Sequence, residues 1–143
     1  LPEFLATISQ EYTKRVLPDY LPDGTKVAFR VWAVSQWAGD FNPIHIHDSN
    51  LSGVCFLKIP PKFDEEYAKE DHHPTAGCLE FIGSVPNHFA RHSFLAKPEV
   101  GDFYIFPSWL THQVYPFRSD GERRSMAFNV HFTMKEPVKG LNV

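Results

Sequence analysis

From Lys26 to Met134 the chain is a series of short apolar runs cut by Pro, Gly and Asp-containing turns, and this rhythm constrains the fold more than any other feature. Lys26 to Trp37 alternates, with Val27, Phe29, Val31, Ala33 and Ser35 on one parity and Ala28, Arg30, Trp32, Val34 and Gln36 on the other. That is the signature of a strand, whose side chains point to opposite faces with period 2. Ala38-Gly39-Asp40 turns the chain into a short strand over 43–48. Ser49-Asn50 makes a tight connection to a strand over Leu51–Ile59, and Pro60-Pro61 stops it. Further strands are expected over Gly77–Ile82, Phe103–Pro107, His112–Phe117 and Arg123–Met134, the last two joined through Ser119-Asp120-Gly121-Glu122. The acidic segment 62–76 is expected to be a surface loop or a single helical turn, and 83–97 to be irregular. Thirteen Phe and an aromatic share of 15% suit strands, and twelve Pro with eight Gly suit frequent turns. Seven or so strands at this spacing predict an all-β barrel or sandwich.

Ahead of them, Phe4, Leu5, Ile8, Tyr12 and Val16 recur at helical spacing, so residues 2–16 are expected to form a helix that packs on the outside and ends at Leu17-Pro18. The 143 residues suffice for one domain with its own core, spanning 1–143, with the catalytic core expected over about 27–134. A net charge of −3 without a Lys/Arg run argues against nucleic acid as a partner. No apolar run approaches the roughly 20 residues of a membrane span. Leu1-Pro2-Glu3-Phe4 shows no signal-peptide pattern, which with the composition leads to an expected cytoplasmic location, and the missing initiator Met points to trimming or processing. Cys55 and Cys78 lie in apolar runs and are expected to be buried free thiols.

Three segments could assemble one metal site: Asn42-Pro43-Ile44-His45-Ile46-His47, Phe106-Pro107-Ser108-Trp109-Leu110-Thr111-His112, and Glu122 to Asn129. A His-x-His pair on a strand directs two imidazoles to one face. A distant third His, His112, can close a facial triad of the kind that binds non-haem iron. Arg123 and Ser125 share one face of the last strand, where a guanidinium and a hydroxyl make a clamp for a carboxylate. Each piece alone has a plainer reading. A His pair is commonly a surface or core feature, His112 could be a satisfied rim histidine, and Arg123 lies among other arginines.

The conjunction resembles a known family. "DFNPIHIHDSNLSGVCFLKIP", "GCLEFI", "GDFYIFPSWLTHQVYPF" and "ERRSMAFNVHF" look like the N-P-x-H-x-H, L-S-G-V, F-P-S-W-L-x-H and E-R-x-S-x-x-F-N patterns of a family of 2-oxoglutarate/iron(II) oxygenases, in order over roughly residues 30–134. The resemblance implies a double-stranded β-helix, the jelly roll or cupin-like barrel. It implies a dioxygenase that uses Fe(II), 2-oxoglutarate and O₂, hydroxylates a C–H bond of a peptide side chain or small metabolite, and releases succinate and CO₂. His45 and His112 match its metal ligands, and Arg123 with Ser125 matches the pair that holds the far carboxylate of 2-oxoglutarate. Asn129 is a further candidate at the co-substrate.

The wider superfamily carries Asp or Glu at the middle ligand, where this chain has His47. Asp48 is the alternative, although strand alternation would aim it away; a site with only His45 and His112 is a third arrangement. An imidazole in place of a carboxylate leaves the centre more positive, which Asp48 or Glu80 could offset. Trp37, Asn42 and Trp109 are candidate pocket residues, and His131 shares the parity of Arg123. The loops at 60–76 and 83–99, with His72, His73, His88 and His92, are expected to set the substrate. Two other readings remain open: a three-His cupin-type dioxygenase or isomerase without 2-oxoglutarate, and a non-enzymatic jelly-roll binding module. Exposed barrel edges would allow a homodimer.

Overall fold

The computed structural model describes residues 1–18, 21, 25–69, 74–83 and 91–133. Helix α1 spans Pro2–Val16 and α2 spans Phe63–Lys69. The strands are β1 Lys26–Gln36, β2 Asn42–His45, β3 Leu51–Lys58, β4 Leu79–Ile82, β5 Ser93–Ala96, β6 Phe103–Pro107, β7 Thr111–Val114 and β8 Arg123–Thr133. They form two four-stranded sheets, in the orders β1-β8-β3-β6 and β2-β7-β4-β5. Every pairing is antiparallel. The two sheets face each other as a double-stranded β-helix.

Strand β8 organises the larger sheet. It pairs with β1 from Lys26↔Thr133 to Gln36↔Arg123, and on its other side with β3. Alternation along it divides two cores. Phe128 and Val130 point outward and pack with Leu5 and Leu51 beneath α1. Between the sheets lie Phe56, Leu79, Phe81, Ala96, Phe106 and Val114. Gly53 marks where the outer packing is tightest: a Cβ there would collide with the Phe128 ring and lie 2.7 Å from the Tyr104 carbonyl oxygen. Only a residue without a side chain fits between those two strands.

The helix forms over the expected residues but turns a different stripe to the sheet. Leu5, Ser9 and Thr13 are buried, whereas Phe4 and Val16, part of the expected apolar face, are exposed. Small side chains at Ser9 and Thr13 let the helix approach the sheet closely, and the Thr13 hydroxyl is satisfied by donating to the Ser9 carbonyl at 2.9 Å. Two further differences concern short elements. Residues 93–96, expected to be irregular, form the edge strand β5, which among the described residues pairs with β4 alone. Within the acidic segment, α2 is a defined helix because Phe63 is buried against Ala76 and Phe117. Glu66 anchors it by accepting from the backbone N–H groups of Arg118 (2.7 Å) and Ser119 (2.6 Å), and from the Ser119 hydroxyl. Cys78 is buried and Cys55 partly so.

Candidate metal centre

The smaller sheet carries the histidines. His45 on β2 lies directly opposite His112 on β7 in the antiparallel register, with a register shift between Asn42 and His45. The shift is what allows Asn42 and His45, three residues apart, both to face the interior; in an unbroken strand they would point to opposite sides. His47, two beyond His45, follows the strand end, where its backbone N–H donates to the Ser108 carbonyl at 3.0 Å. The ring centroids are 4.2 Å apart for His45 and His112, and 5.0 Å for His47 with each of the others. One ring nitrogen from each lies within 4.8 Å of the other two. That span is close to the diameter, about 4 Å, of the coordination sphere of a metal bound through imidazole. Asp48 is exposed and outside this group.

Two of the rings are oriented by backbone carbonyls. His45 Nδ1 lies 2.6 Å from the Pro43 carbonyl oxygen and His112 Nδ1 lies 2.8 Å from that of Leu110. A carbonyl can only accept, so Nδ1 carries the proton in both, and the Nε2 lone pair is left for a metal. Burial pushes the His112 imidazolium down to about 4, the Leu110 carbonyl opposes this, and His45 and His47 reinforce it. Burial, then His45, also lowers His47. These rings are therefore held neutral, as metal ligation requires.

A cavity of ≈ 150 Å³ opens on the triad and continues between the sheets. The larger sheet supplies its far wall, with Trp32 and Val34 from β1 and Arg123, Ser125 and Ala127 from β8. Among the described residues no acidic side chain lines it. Arg123 is only 1% exposed. Its Nε donates to the Gly77 carbonyl (3.2 Å) and Nη1 to Gln36 Oε1 (2.6 Å), and the guanidinium carbon lies 4.9 Å from the Phe56 ring centroid. Nη2 is buried with no hydrogen-bond partner among the described residues. Burial lowers the Arg123 pKa to about 10, with Cys78 opposing the shift, so the side chain is still a cation at neutral pH. The cavity thus holds three imidazoles on one sheet, and on the other a buried cation beside a hydroxyl, with no acidic side chain lining it among the described residues.

A chain of hydroxyls locks the first two histidine segments together. Ser108 Oγ bonds to Ser52 Oγ at 2.7 Å and to Ser49 Oγ at 2.5 Å, and Ser52 donates to Asn129 Oδ1 at 2.9 Å. This gives a structural reason for the serines of the Leu-Ser-Gly-Val and Phe-Pro-Ser-Trp segments. It also accounts for Asn129, which sits opposite Arg30 and Ser52, one step past Ala127 on the same face, and does not line the cavity. His131, further along that face, is exposed, because β8 there has run beyond the interior. Asn42 lines the cavity as expected; Trp37 and Trp109 are 55% and 69% exposed and do not.

The carboxylate of Glu80 accepts from Gln113 and Tyr115, both at 2.7 Å, on the face of the smaller sheet opposite His112, so it does not neighbour the triad. Three contributors had no distinct signal in the sequence: Trp32, whose ring meets His47 edge-on at 6.2 Å, Phe56 beneath Arg123, and Gln36. Strand parity could have singled out Trp32 and Gln36, which share the inward face of β1. His92 is exposed; His72, His73 and His88 lie outside the described residues.

Fold and site together make a jelly roll with three convergent imidazoles that could hold a metal ion. The family model described as "Putative 2OG-Fe(II) oxygenase" matches residues 30–129, and the chain belongs to this 2OG-Fe(II) oxygenase family. No curated protein matches it. Among solved structures it resembles a Pseudomonas putida prolyl-4-hydroxylase, at 20% identity and TM-score 0.55 over 90% of this chain and 63% of that one. It also resembles a 2OG-Fe(II) oxygenase family oxidoreductase from Burkholderia pseudomallei, at 13% identity and TM-score 0.58 over 85% of this chain and 49% of that one. The chain therefore spans less than two thirds of either, and at these identities the likeness concerns the fold. No helix among the described residues is long and apolar enough to cross a membrane.

Proposed function

We propose that this chain is the catalytic domain of an Fe(II)- and 2-oxoglutarate-dependent dioxygenase that hydroxylates a C–H bond in a peptide side chain or small metabolite. The observation that carries the reading is the buried Arg123 Nη2 without a partner among the described residues, at a cavity that no described acidic side chain lines and that three convergent imidazoles share. A buried cation left unpaired is costly and calls for an anion. A ligand with a metal-chelating end and a distal carboxylate meets both walls at once.

His45, His47 and His112 would hold the iron, with Asp48 outside the ligand set. The iron, when bound with 2-oxoglutarate, supplies oxygen activation coupled to decarboxylation, yielding succinate and CO₂. The chain's own residues do the rest. The carbonyls of Pro43 and Leu110 hold two imidazoles in the metal-binding tautomer. Arg123 and Ser125 hold the far carboxylate of 2-oxoglutarate and so fix which end faces the metal. Trp32, Phe106 and Val114 exclude water from the cavity wall.

Anaerobic titration of the Fe(II)-loaded protein with 2-oxoglutarate tests this. A visible charge-transfer absorption that saturates with co-substrate, and succinate formed on admitting oxygen, are the expected results. Iron binding without any response to 2-oxoglutarate would favour a three-His cupin-type oxygenase or isomerase. One specific observation favours that second reading: the third ligand offered is an imidazole and no carboxylate lies in the group.

A further inference from the structure

Among the described residues Arg123 hydrogen-bonds only to uncharged groups, and the buried Cys78 thiol is its electrostatic neighbour. Its donors go to the Gly77 carbonyl and the Gln36 amide oxygen, and it rests on the Phe56 ring. The choice of Gln at position 36 is unusual on stability grounds. Gln36 is 4% exposed, and because a guanidinium can only donate, its amide must turn Oε1 toward Arg123. The amide Nε2 is then buried with no acceptor among the described residues. A buried donor left unsatisfied is destabilising, and an apolar residue would avoid it. Glu would be the ordinary partner for a buried Arg, but its carboxylate would neutralise the guanidinium. Gln36 alone among these three options grips Nη1 and leaves the whole positive charge unspent. It does not line the cavity, so its action runs through Arg123.

We propose that Gln36 is the positioning residue of the co-substrate clamp: it fixes the Arg123 guanidinium with a neutral acceptor on Nη1, leaving Nη2 and the charge for a ligand in the cavity that Arg123 lines, and it thereby sets the preference for an acid with a distal carboxylate over one without. This rests on the reading that Arg123 receives the far carboxylate of 2-oxoglutarate. Gln36→Glu places a competing carboxylate on the clamp. Gln36→Met keeps the length and removes the grip.

The experiment is calorimetry on the Fe(II)-loaded protein without oxygen, comparing 2-oxoglutarate with oxalate, which chelates a metal and has no distal carboxylate. Metal content is measured on each protein. Gln36→Glu should weaken 2-oxoglutarate by at least about tenfold, the scale expected for a buried charge partner, and leave oxalate unchanged. Gln36→Met should weaken it by a smaller factor with oxalate again unchanged, and stands alone if the Glu variant fails to fold. Equal weakening of both ligands would mean a merely structural role and overturn the proposal, as would no change in either. Arg123→Met is the control: if it too leaves 2-oxoglutarate binding intact, the clamp itself is wrong; if it abolishes the preference while both Gln36 variants keep it, only the role of Gln36 fails.

Discussion

Arg123→Met should weaken 2-oxoglutarate binding by about two orders of magnitude while leaving metal binding intact. The size follows from burial. The pKa of Arg123 drops from 12.5 to about 10 because the charged form is taken out of water. At about 1.4 kcal/mol per pKa unit, the cation carries roughly 3 kcal/mol of uncompensated penalty in the ligand-free protein. A carboxylate on Nη2 relieves that penalty, and Met, which has no charge, gives it nothing to meet. Truncation of one partner in other buried charge pairs costs about 2–5 kcal/mol, which agrees. Roughly 3 kcal/mol is on the order of 100-fold in dissociation constant. The fold should tolerate the change. Removing the buried charge relieves about 3 kcal/mol, while orphaning the Gly77 and Gln36 oxygens costs about 1–3 kcal/mol each, so the net loss of stability is at most about 3 kcal/mol. The assay is anaerobic calorimetry with 2-oxoglutarate, alongside metal analysis and a thermal melt. A dissociation constant within threefold of the parent, at unchanged iron stoichiometry, would refute the argument that this buried cation is the anion site.

Three further outcomes follow from other parts of the molecule. His45→Ala, His47→Ala and His112→Ala should each reduce bound iron to background by elemental analysis, whereas Asp48→Asn should retain it; the reverse for His47 and Asp48 would exchange their roles. Gly53→Ala should destabilise the fold by about 1–3 kcal/mol in urea unfolding, the range for overpacking, because the new methyl meets the Phe128 ring and the Tyr104 carbonyl. Glu66→Gln should be less stable than the parent at pH 7. Burial alone would raise the Glu66 pKa, but the bonds from Ser119 and Arg118 outweigh it and the net shift is downward. A carboxylate with a depressed folded pKa stabilises above its unfolded value of 4.5 and loses that contribution as pH falls through the folded value. The gap between the two proteins should therefore be constant near neutrality and close below pH 4.5; a gap that persists in acid would remove the ionised carboxylate from the explanation.

How legible this molecule is depends on the length scale at which each feature is encoded. The long strands β1 and β8 show in the sequence because eleven residues each leave room for the period-2 pattern. β5, with four residues, does not, and its existence depends on β4 offering an unpaired edge. Helix α1 is visible as a helix, but its buried stripe is not: Ser9 and Thr13 face inward because closeness to the sheet matters more there than apolarity. The candidate ligands His45 and His112 and the pair Arg123 and Ser125 could be named from motif order, since chemistry at a metal-binding cavity restricts residue type at each position.

What local sequence determined, then, is the inventory: an all-β barrel or sandwich with one leading helix, a His-x-His pair, a distant His, and an Arg with a hydroxyl two residues on. Only the tertiary structure decided which of these meet and with what neighbours. The register of β2 against β7 and its shift bring Asn42, His45 and His112 to one cavity, with the His47 ring 5.0 Å from each of the other two imidazoles. Parity alone would have put Asn129 and His131 with Arg123, yet the face they share leaves the cavity after Ala127. The neutral cradle of Gly77, Gln36 and Phe56 around Arg123 joins residues far apart in the chain. Such contacts have no local signature, because they arise from the packing of two sheets and not from the propensity of either.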